Sequence, residues 1–231
     1  MKCCVCNSQM KLLLNKTKLY QCENCKHIYK IVENNLVVQK EYHVKLARNP
    51  IKFKKDGNIN EIFHIQRELI VTNRLNKIES YLDKGQSVLD VGGSAGTFAN
   101  KIKSYVKEID ITDLADYQKK ESERLGFKFY QGDFTILKFS KTYDIITCWH
   151  VLEHIKYINI FMEKLKKVSK KEGYIFIEIP YNRKINENKE NGHLQYFNVQ
   201  SFTLFIKKYF ILIDMIEGVQ KPALLAICKN K

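Results

Sequence analysis

From residue 61 onward the apolar positions change period several times, and each change marks an element. Ile62, Ile65, Leu69, Thr72, Leu75, Ile78 and Leu82 recur at three- and four-residue steps, the stripe of an amphipathic helix that ends near Gly85. A short apolar run from Ser87 to Val91 reads as a buried strand leading into a glycine-rich turn. The pattern continues with a helix at about 97–105, a strand ending at Asp110-Ile111, a helix at about 113–125, and strands at 127–132, 143–149 and 173–179. Between the last two strands, Ile158, Phe161, Met162, Leu165 and Val168 mark a further amphipathic helix. The remainder reads as a helix at 200–208 and strands at 209–217 and 222–229. Strands alternating with helices predict an α/β fold with a doubly wound, largely parallel sheet. Only Gly218 to Lys221 joins the last two strands. That is too short for a parallel crossover, so they should form an antiparallel hairpin.

Three stretches separate along the chain. Residues 1–38 hold five of the seven cysteines. Residues 39–60 lack periodicity and carry the turn signals Asn49-Pro50 and Asp56-Gly57, so they read as a linker. Residues 61–231 read as one continuous domain. With 45% apolar and 28% charged residues the composition is that of a globular protein. No apolar run approaches the ~18 residues of a membrane span. The start, Met1-Lys2-Cys3-Cys4, has no apolar signal core, so a cytoplasmic protein is expected.

Charge adds one asymmetry. The formal net charge is +14, of which residues 1–57 carry +8 (12 basic and 4 acidic) in a quarter of the length. An anionic partner is therefore expected at the N-terminal end if anywhere. Against a nucleic acid, only 5 of the 39 basic residues are Arg, the residue suited to bidentate and stacked contacts.

Cys3-x2-Cys6 and Cys22-x2-Cys25 stand 15 residues apart, the spacing of two knuckles presenting four thiolates to one zinc. A segment this short needs such help, because below about 40 residues an unaided core is marginal. Structural zinc contributes on the order of 10–16 kcal/mol in small fingers. Four thiolates leave no open position, so the predicted ion is structural. Cys4 and His27 are alternative ligands with poorer spacing. Cys148 and Cys228 lie in apolar strands and read as small core residues.

The turn Asp90-Val91-Gly92-Gly93-Ser94-Ala95-Gly96-Thr97 follows a strand and opens a helix. It is neither a dinucleotide fingerprint, which would need glycines at 94 and 97, nor a P-loop. Together with four segments further along the chain, the turn resembles the class I S-adenosylmethionine-dependent methyltransferases. Lys107-Glu108-Ile109-Asp110-Ile111-Thr112 looks like the family's second-strand end, and Gln131-Gly132-Asp133-Phe134 its third. Tyr143 through His154-Ile155 is similar to its fourth-strand signature, and Gly173–Pro180 looks like its fifth strand. The resemblance spans about 150 residues and implies a seven-stranded Rossmann-like sheet with an antiparallel last strand. It implies cofactor roles for Asp90, Gly92, Gly93, Ser94, Gly96, Asp110, Ile111, Asp133, Phe134 and Trp149. Within that set Asp90 would take the methionine amino group, Asp110 the ribose and Asp133 the adenine amino group. Ser94 departs from the commoner Gly, and Asp110 comes early, which leaves Glu108 as an alternative ribose ligand.

For the acceptor side the candidates are His150, Glu153 and His154 after the fourth strand and His193 and Tyr196 after the fifth. Histidine accepts a proton near neutral pH. His193 lies in Asn191–Asn198, which looks like a segment of small-molecule members of the family, on a 181–199 insertion suited to a substrate loop. The motifs of amino-group methylation on bases and of carbon-5 pyrimidine methylation are both missing. An N-terminal four-cysteine knuckle on this core resembles methyltransferases of nucleotide-sugar and polysaccharide pathways. The expected acceptor is thus a small molecule such as a sugar or nucleotide-sugar. Two alternatives stay open: an RNA methyltransferase whose zinc module docks RNA, and a cofactor-binding adaptor without catalysis. The oligomeric state is not legible.

Overall fold

The computed structural model describes residues 1–32, 61–181, 192–219 and 222–231. The expected linker at 39–60, and residues 182–191 of the expected substrate loop, lie outside the described residues.

The N-terminal segment is a small antiparallel sheet of β1 (Met10–Leu14), β2 (Leu19–Cys22) and β3 (Ile28–Lys30). Helix α1 (Glu61–Ile78) then leads through a 3-10 turn at Glu79–Tyr81 to β4 (Ser87–Val91). Only the second half of the α1 stripe reaches the core. Val71, Leu75 and Ile78 are buried, whereas Ile65 and Leu69 are 66% and 60% exposed. Next come α2 (Thr97–Ile102), β5 (Glu108–Asp113), α3 (Lys119–Arg124) and β6 (Lys128–Gln131). β7 (Tyr143–Trp149), α4 (Ile158–Val168) and β8 (Ser169–Pro180) follow. The chain closes with β9 (Gln195–Tyr196), α5 (Val199–Tyr209), β10 (Ile211–Glu217) and β11 (Ala223–Lys229).

The large sheet has seven strands in the order β10-β11-β8-β7-β4-β5-β6. β6, β5, β4, β7 and β8 run parallel, and β11 runs antiparallel to both β8 and β10. The expected hairpin is therefore present, and so is the expected doubly wound core. Near-continuous apolar strands follow from burial on both faces. Ile146, Cys148, Ile175 and Ile177 pack under α4 and α5 through Phe161, Leu165, Phe202 and Phe205. Val88, Ile109, Ile145 and Phe176 pack on the other side against Val71, Leu75, Phe98 and Ile102. Cys148 and Cys228 are fully buried with thiols raised by burial, as small core residues. Strand order reverses where β4 pairs with both β5 and β7, and a ligand crevice forms at the carboxyl ends of strands at such a switch point.

One pairing has no counterpart in the apolar pattern. β9, two residues inside the expected substrate loop, joins the small sheet in the order β1-β2-β3-β9, with Ile28 opposite Tyr196 and Tyr29 opposite Gln195.

Candidate functional site

The glycine turn lies at the switch point. Gly92 and Gly96 adopt φ of 72° and 82°, the left-handed region that a Cβ disfavours. The N–H groups of Gly92 and Gly93 both donate to Thr112 O, at 2.7 and 3.2 Å. A Cβ at Gly93 would stand 2.5 Å from Asp90 Oδ2, and one at Gly96 would stand 2.9 Å from Ile111 Cδ1. The turn is thus folded down onto Asp90 and Ile111. Ser94 takes the left-handed region too, at φ 54°, where its N–H donates to Asp113 Oδ2 at 3.0 Å.

Asp90 is 1% exposed. Its Oδ1 accepts from the Thr147 hydroxyl at 2.7 Å, and its Oδ2 has no protein partner. Burial outweighs the Thr147 hydrogen bond and pushes this carboxyl up to about 7. A buried carboxylate oxygen without a donor fits a cationic ligand group.

Asp110 corrects the sequence expectation. It sits in mid-strand opposite Leu89, buried, and its carboxylate is taken by Tyr143 OH at 2.6 Å and Lys141 Nζ at 3.1 Å. Glu108, its alternative, lies still earlier in β5 and pairs with Lys141 at 2.8 Å. Asp113 instead ends β5 beside the turn, bonded by Ser94 N–H and Ala115 N–H. Ile111 is fully buried beneath the glycines, so it supports the turn rather than lining a ligand. Asp133 accepts from the Thr135 N–H and hydroxyl through Oδ1, and Gly132 N–H ties this turn to Asp113 O. The Phe134 ring is core, against Phe161 at 5.1 Å, which leaves only its backbone for a ligand. Trp149 packs between Phe98 at 5.0 Å and the Arg74 guanidinium at 4.8 Å.

The histidines gather beyond the ends of β7 and β8. His150 has φ 57° and sits between two buried carboxylates, with Nδ1 3.1 Å from Glu153 and Nε2 3.1 Å from Glu178. Burial alone would lower its pKa, but the two carboxylates outweigh it and raise it. Glu178 answers in kind. Burial would raise it, but His150, the Arg74 charge and the Val219 N–H hold it down at about 2. An imidazole whose two nitrogens each face a buried carboxylate links the turn after β7 to β8. The other two expected histidines, His154 and His193, lie together. His154 Nδ1 donates to Gly192 O at 3.0 Å, since a carbonyl oxygen can only accept, and Nε2 faces Glu153 Oε1 at 3.8 Å. The His193 ring is 4.8 Å from that of His154 and 6.0 Å from that of Tyr196. One donor atom each of Glu153, His154 and His193 lie within 4.8 Å of one another. Sequence reasoning missed Asp113, Thr147, Arg74 and Glu178. For Glu178 a signal existed: a lone acid inside Tyr174-Ile175-Phe176-Ile177-Glu178-Ile179 needs a buried partner.

At the N-terminus the sulfurs of Cys3, Cys6, Cys22 and Cys25 all lie within 4.8 Å of one another, with Cys3–Cys25 at 3.7 Å and Cys6–Cys22 at 3.4 Å. A tetrahedral zinc at ~2.3 Å spaces its sulfurs by about 3.8 Å. The two knuckles share one backbone course. Cys3 N–H donates to Ser8 O and Cys22 N–H to His27 O, and the residue after each second cysteine, Asn7 and Lys26, is left-handed. Cys4 and His27, 4.0 Å from each other, lie beside Cys3 but are not among the four converging sulfurs.

Comparison with known proteins agrees with this geometry. A family model described as a methyltransferase domain matches residues 63–209. The chain is 30% identical over 115 residues to an (S)-tetrahydroprotoberberine N-methyltransferase of Eschscholzia californica, covering 46% of this chain and 33% of that protein. It is 22% identical over 160 residues to a malonyl-[acyl-carrier protein] O-methyltransferase of Calditerrivibrio nitroreducens, covering 65% and 64%. The chain spans about a third of the length of the first two plant relatives it matches. Among solved structures it is similar to the N-methyltransferase NodS of Bradyrhizobium japonicum in complex with S-adenosyl-L-homocysteine. That match has a TM-score of 0.60 and 14% identity, and covers 85% of this chain and 99% of that one. A Pyrococcus horikoshii protein gives a TM-score of 0.62 at 15% identity over 81% and 99%.

Proposed function

We infer, for a chain that belongs to the methyltransferase-domain family through residues 63–209, transfer of a methyl group from S-adenosylmethionine to a small molecule. The observation that carries this reading is the turn at the switch point, where the glycines leave no room for a Cβ and Asp90 Oδ2 is buried without a donor. Asp90 would take the methionine amino group, Asp113 the ribose hydroxyls and Asp133, through its remaining oxygen, the adenine amino group. Gly92, Gly93, Ser94 and Gly96 would let the backbone approach, and the Phe134 backbone would flank the base. When bound, the cofactor supplies a methyl group already activated on a sulfonium.

The remaining work belongs to the chain: aligning a nucleophile, excluding water and taking a proton. Orientation alone accounts for about 7–11 kcal/mol in well-aligned systems. His154 is oriented by donating Nδ1–H to Gly192 O, which turns Nε2 towards Glu153, and that carboxylate would stabilise an imidazolium once formed. His193, 7% exposed and ring to ring with His154, is the base we assign to the acceptor. A hydroxyl or amine that must lose a proton fits such a pair. The relatives' names include both N- and O-methylation, and we favour a hydroxyl of a sugar or nucleotide-sugar on the resemblance carried by Asn191–Asn198. The four N-terminal thiolates would hold one structural zinc.

The test is transfer of label from methyl-labelled S-adenosylmethionine into an extract of a strain lacking the protein, followed by fractionation. Label in sugar or other small-molecule fractions is expected. Label in RNA would overturn the acceptor class, and no transfer into any fraction would favour the adaptor.

A further inference from the structure

The thiolate cluster and the histidine pair are far apart in sequence but joined by a short run of backbone. Lys30 N–H, ending β3, donates to Leu194 O at 2.8 Å, and Leu194 N–H donates to Glu153 O at 2.8 Å. One residue therefore bridges the small sheet and the turn that holds Glu153 and His154, and His193 is its immediate neighbour. Around it, Ile28 and Tyr29 pair with Tyr196 and Gln195. The Gln195 side chain donates to Ile155 O at 2.8 Å. His27, fully buried, packs at a tilt against Phe197 with ring centroids 4.7 Å apart, and Phe197 continues into Phe202 and Phe205 of the main core. Asn198 Nδ2 donates to the backbone oxygen of Cys25, one of the four thiolate residues, at 3.1 Å.

Two features make this arrangement more than a seam. β9 is two residues long, and among the described residues β3 is its one strand partner. A strand so short has no stability of its own. β3 in turn belongs to a sheet too small to fold on apolar burial alone, so it depends on what draws the four sulfurs together. Order therefore passes from the thiolates to β3, from β3 to β9, and from β9 to His193 and Glu153.

We infer that the thiolate module is a positioning element of the acceptor site: with a metal on its four sulfurs it holds the His193 strand against Glu153 and His154, and Asn198 is its positioning residue. The inference rests on the reading of His154 and His193 as the acceptor side. It assigns the module a task inside the enzyme rather than an external docking role, because the β3 side of its sheet is spent on its own chain.

Asn198 separates this role from mere folding. Its side-chain oxygen caps α5 by accepting from Ser201 N–H at 2.8 Å, while its nitrogen makes the bond to Cys25. Asn198→Asp keeps the cap and loses the donor; Asn198→Ala loses both. The full chain is compared as the metal-loaded wild type, the wild type stripped by chelator, and the two variants. Amide exchange at Lys30 and Leu194, calorimetric affinity for S-adenosylhomocysteine, and turnover with labelled cofactor and the acceptor fraction are read on each. Stripping should speed exchange at Lys30 and Leu194 about tenfold or more. It should lower kcat and leave S-adenosylhomocysteine affinity unchanged, since the glycine turn belongs to other strands. Asn198→Asp should keep its metal and its α5 protection yet show the same two losses to a smaller degree. Unchanged exchange at Leu194 after stripping would overturn the inference, as would a loss of turnover in Asn198→Ala that is absent in Asn198→Asp. If exchange responds as expected but no acceptor fraction is labelled, the positioning stands and the acceptor reading falls.

Discussion

Asp90 carries a cost that only a ligand removes. Its carboxyl titrates near 7 in the fold against an ordinary value of 3.8, because burial disfavours the charge. In the unfolded chain it ionises above 3.8. Its penalty on the fold therefore grows as pH rises from 3.8 towards 7 and is full above that, on the order of 4 kcal/mol. Asn in its place would keep the bond from the Thr147 hydroxyl and shed the charge. Asp90→Asn should thus raise the melting temperature of the ligand-free chain at pH 8, match wild type near pH 3.5, and weaken cofactor binding. Thermal melts across pH with calorimetry on S-adenosylhomocysteine check all three. His193→Ala should lower turnover while leaving cofactor affinity intact, and equal turnover in the variant would remove His193 from the chemistry. At this scale the sequence was legible where spacing decides and opaque where depth decides. Asp90 and the glycines follow from a turn that must leave the end of a strand. Asp110 and Asp113 differ only in how far β5 runs, and three residues of strand separate a buried partner of Tyr143 from an acid at the ligand edge.

Among the elements, the glycine turn and the cysteine knuckles depend most on backbone geometry. Gly96 pairs a left-handed φ with a site where a Cβ would meet the ends of Ile111 and Phe127. Gly96→Ala should cost about 1–3 kcal/mol in denaturant unfolding and weaken the cofactor site with it. A Gly126→Ala control has open space at its Cβ and carries only the conformational penalty. The knuckles should bind about one zinc per chain by metal analysis of the purified protein, and a metal-free chain with residues 1–32 still ordered would refute the cluster. From residue 61 onward periodicity located every α-helix and strand but one, including the closing hairpin, while the short strands β1, β2 and β3 of the cysteine segment were not read from it. It failed for β9, because two residues are too few to show alternation and their partner strand lies across most of the chain. The α1 stripe erred in the opposite sense: helical spacing marks a face, and it does not say how much of that face another element covers.

The described residues form two sheets, and the larger, seven-stranded one has a single reversal of strand order at β4, as expected of the doubly wound fold that the strand-helix alternation predicts. Among the described residues no helix is long and apolar enough to cross a membrane. The excess of positive charge at the N-terminal end bears on acceptor class. If transfer is to a sugar, turnover should change little between about 50 and 200 mM salt, the range over which a nucleic-acid complex making several phosphate contacts loses about 10³-fold or more in affinity. Rates with the labelled fraction at the two salt concentrations measure this.

The bond from Asn198 to Cys25 spans 173 residues of sequence. On a ribosome adding ~5–20 residues per second, the N-terminal thiols therefore wait on the order of 10–35 s before the strand and aromatic rings that cover them exist. Throughout that interval the half-built sheet presents an open edge and four uncovered sulfurs to the cell. Early metal capture by the two local knuckles would shield the nascent chain from oxidation and from mispairing with its neighbours.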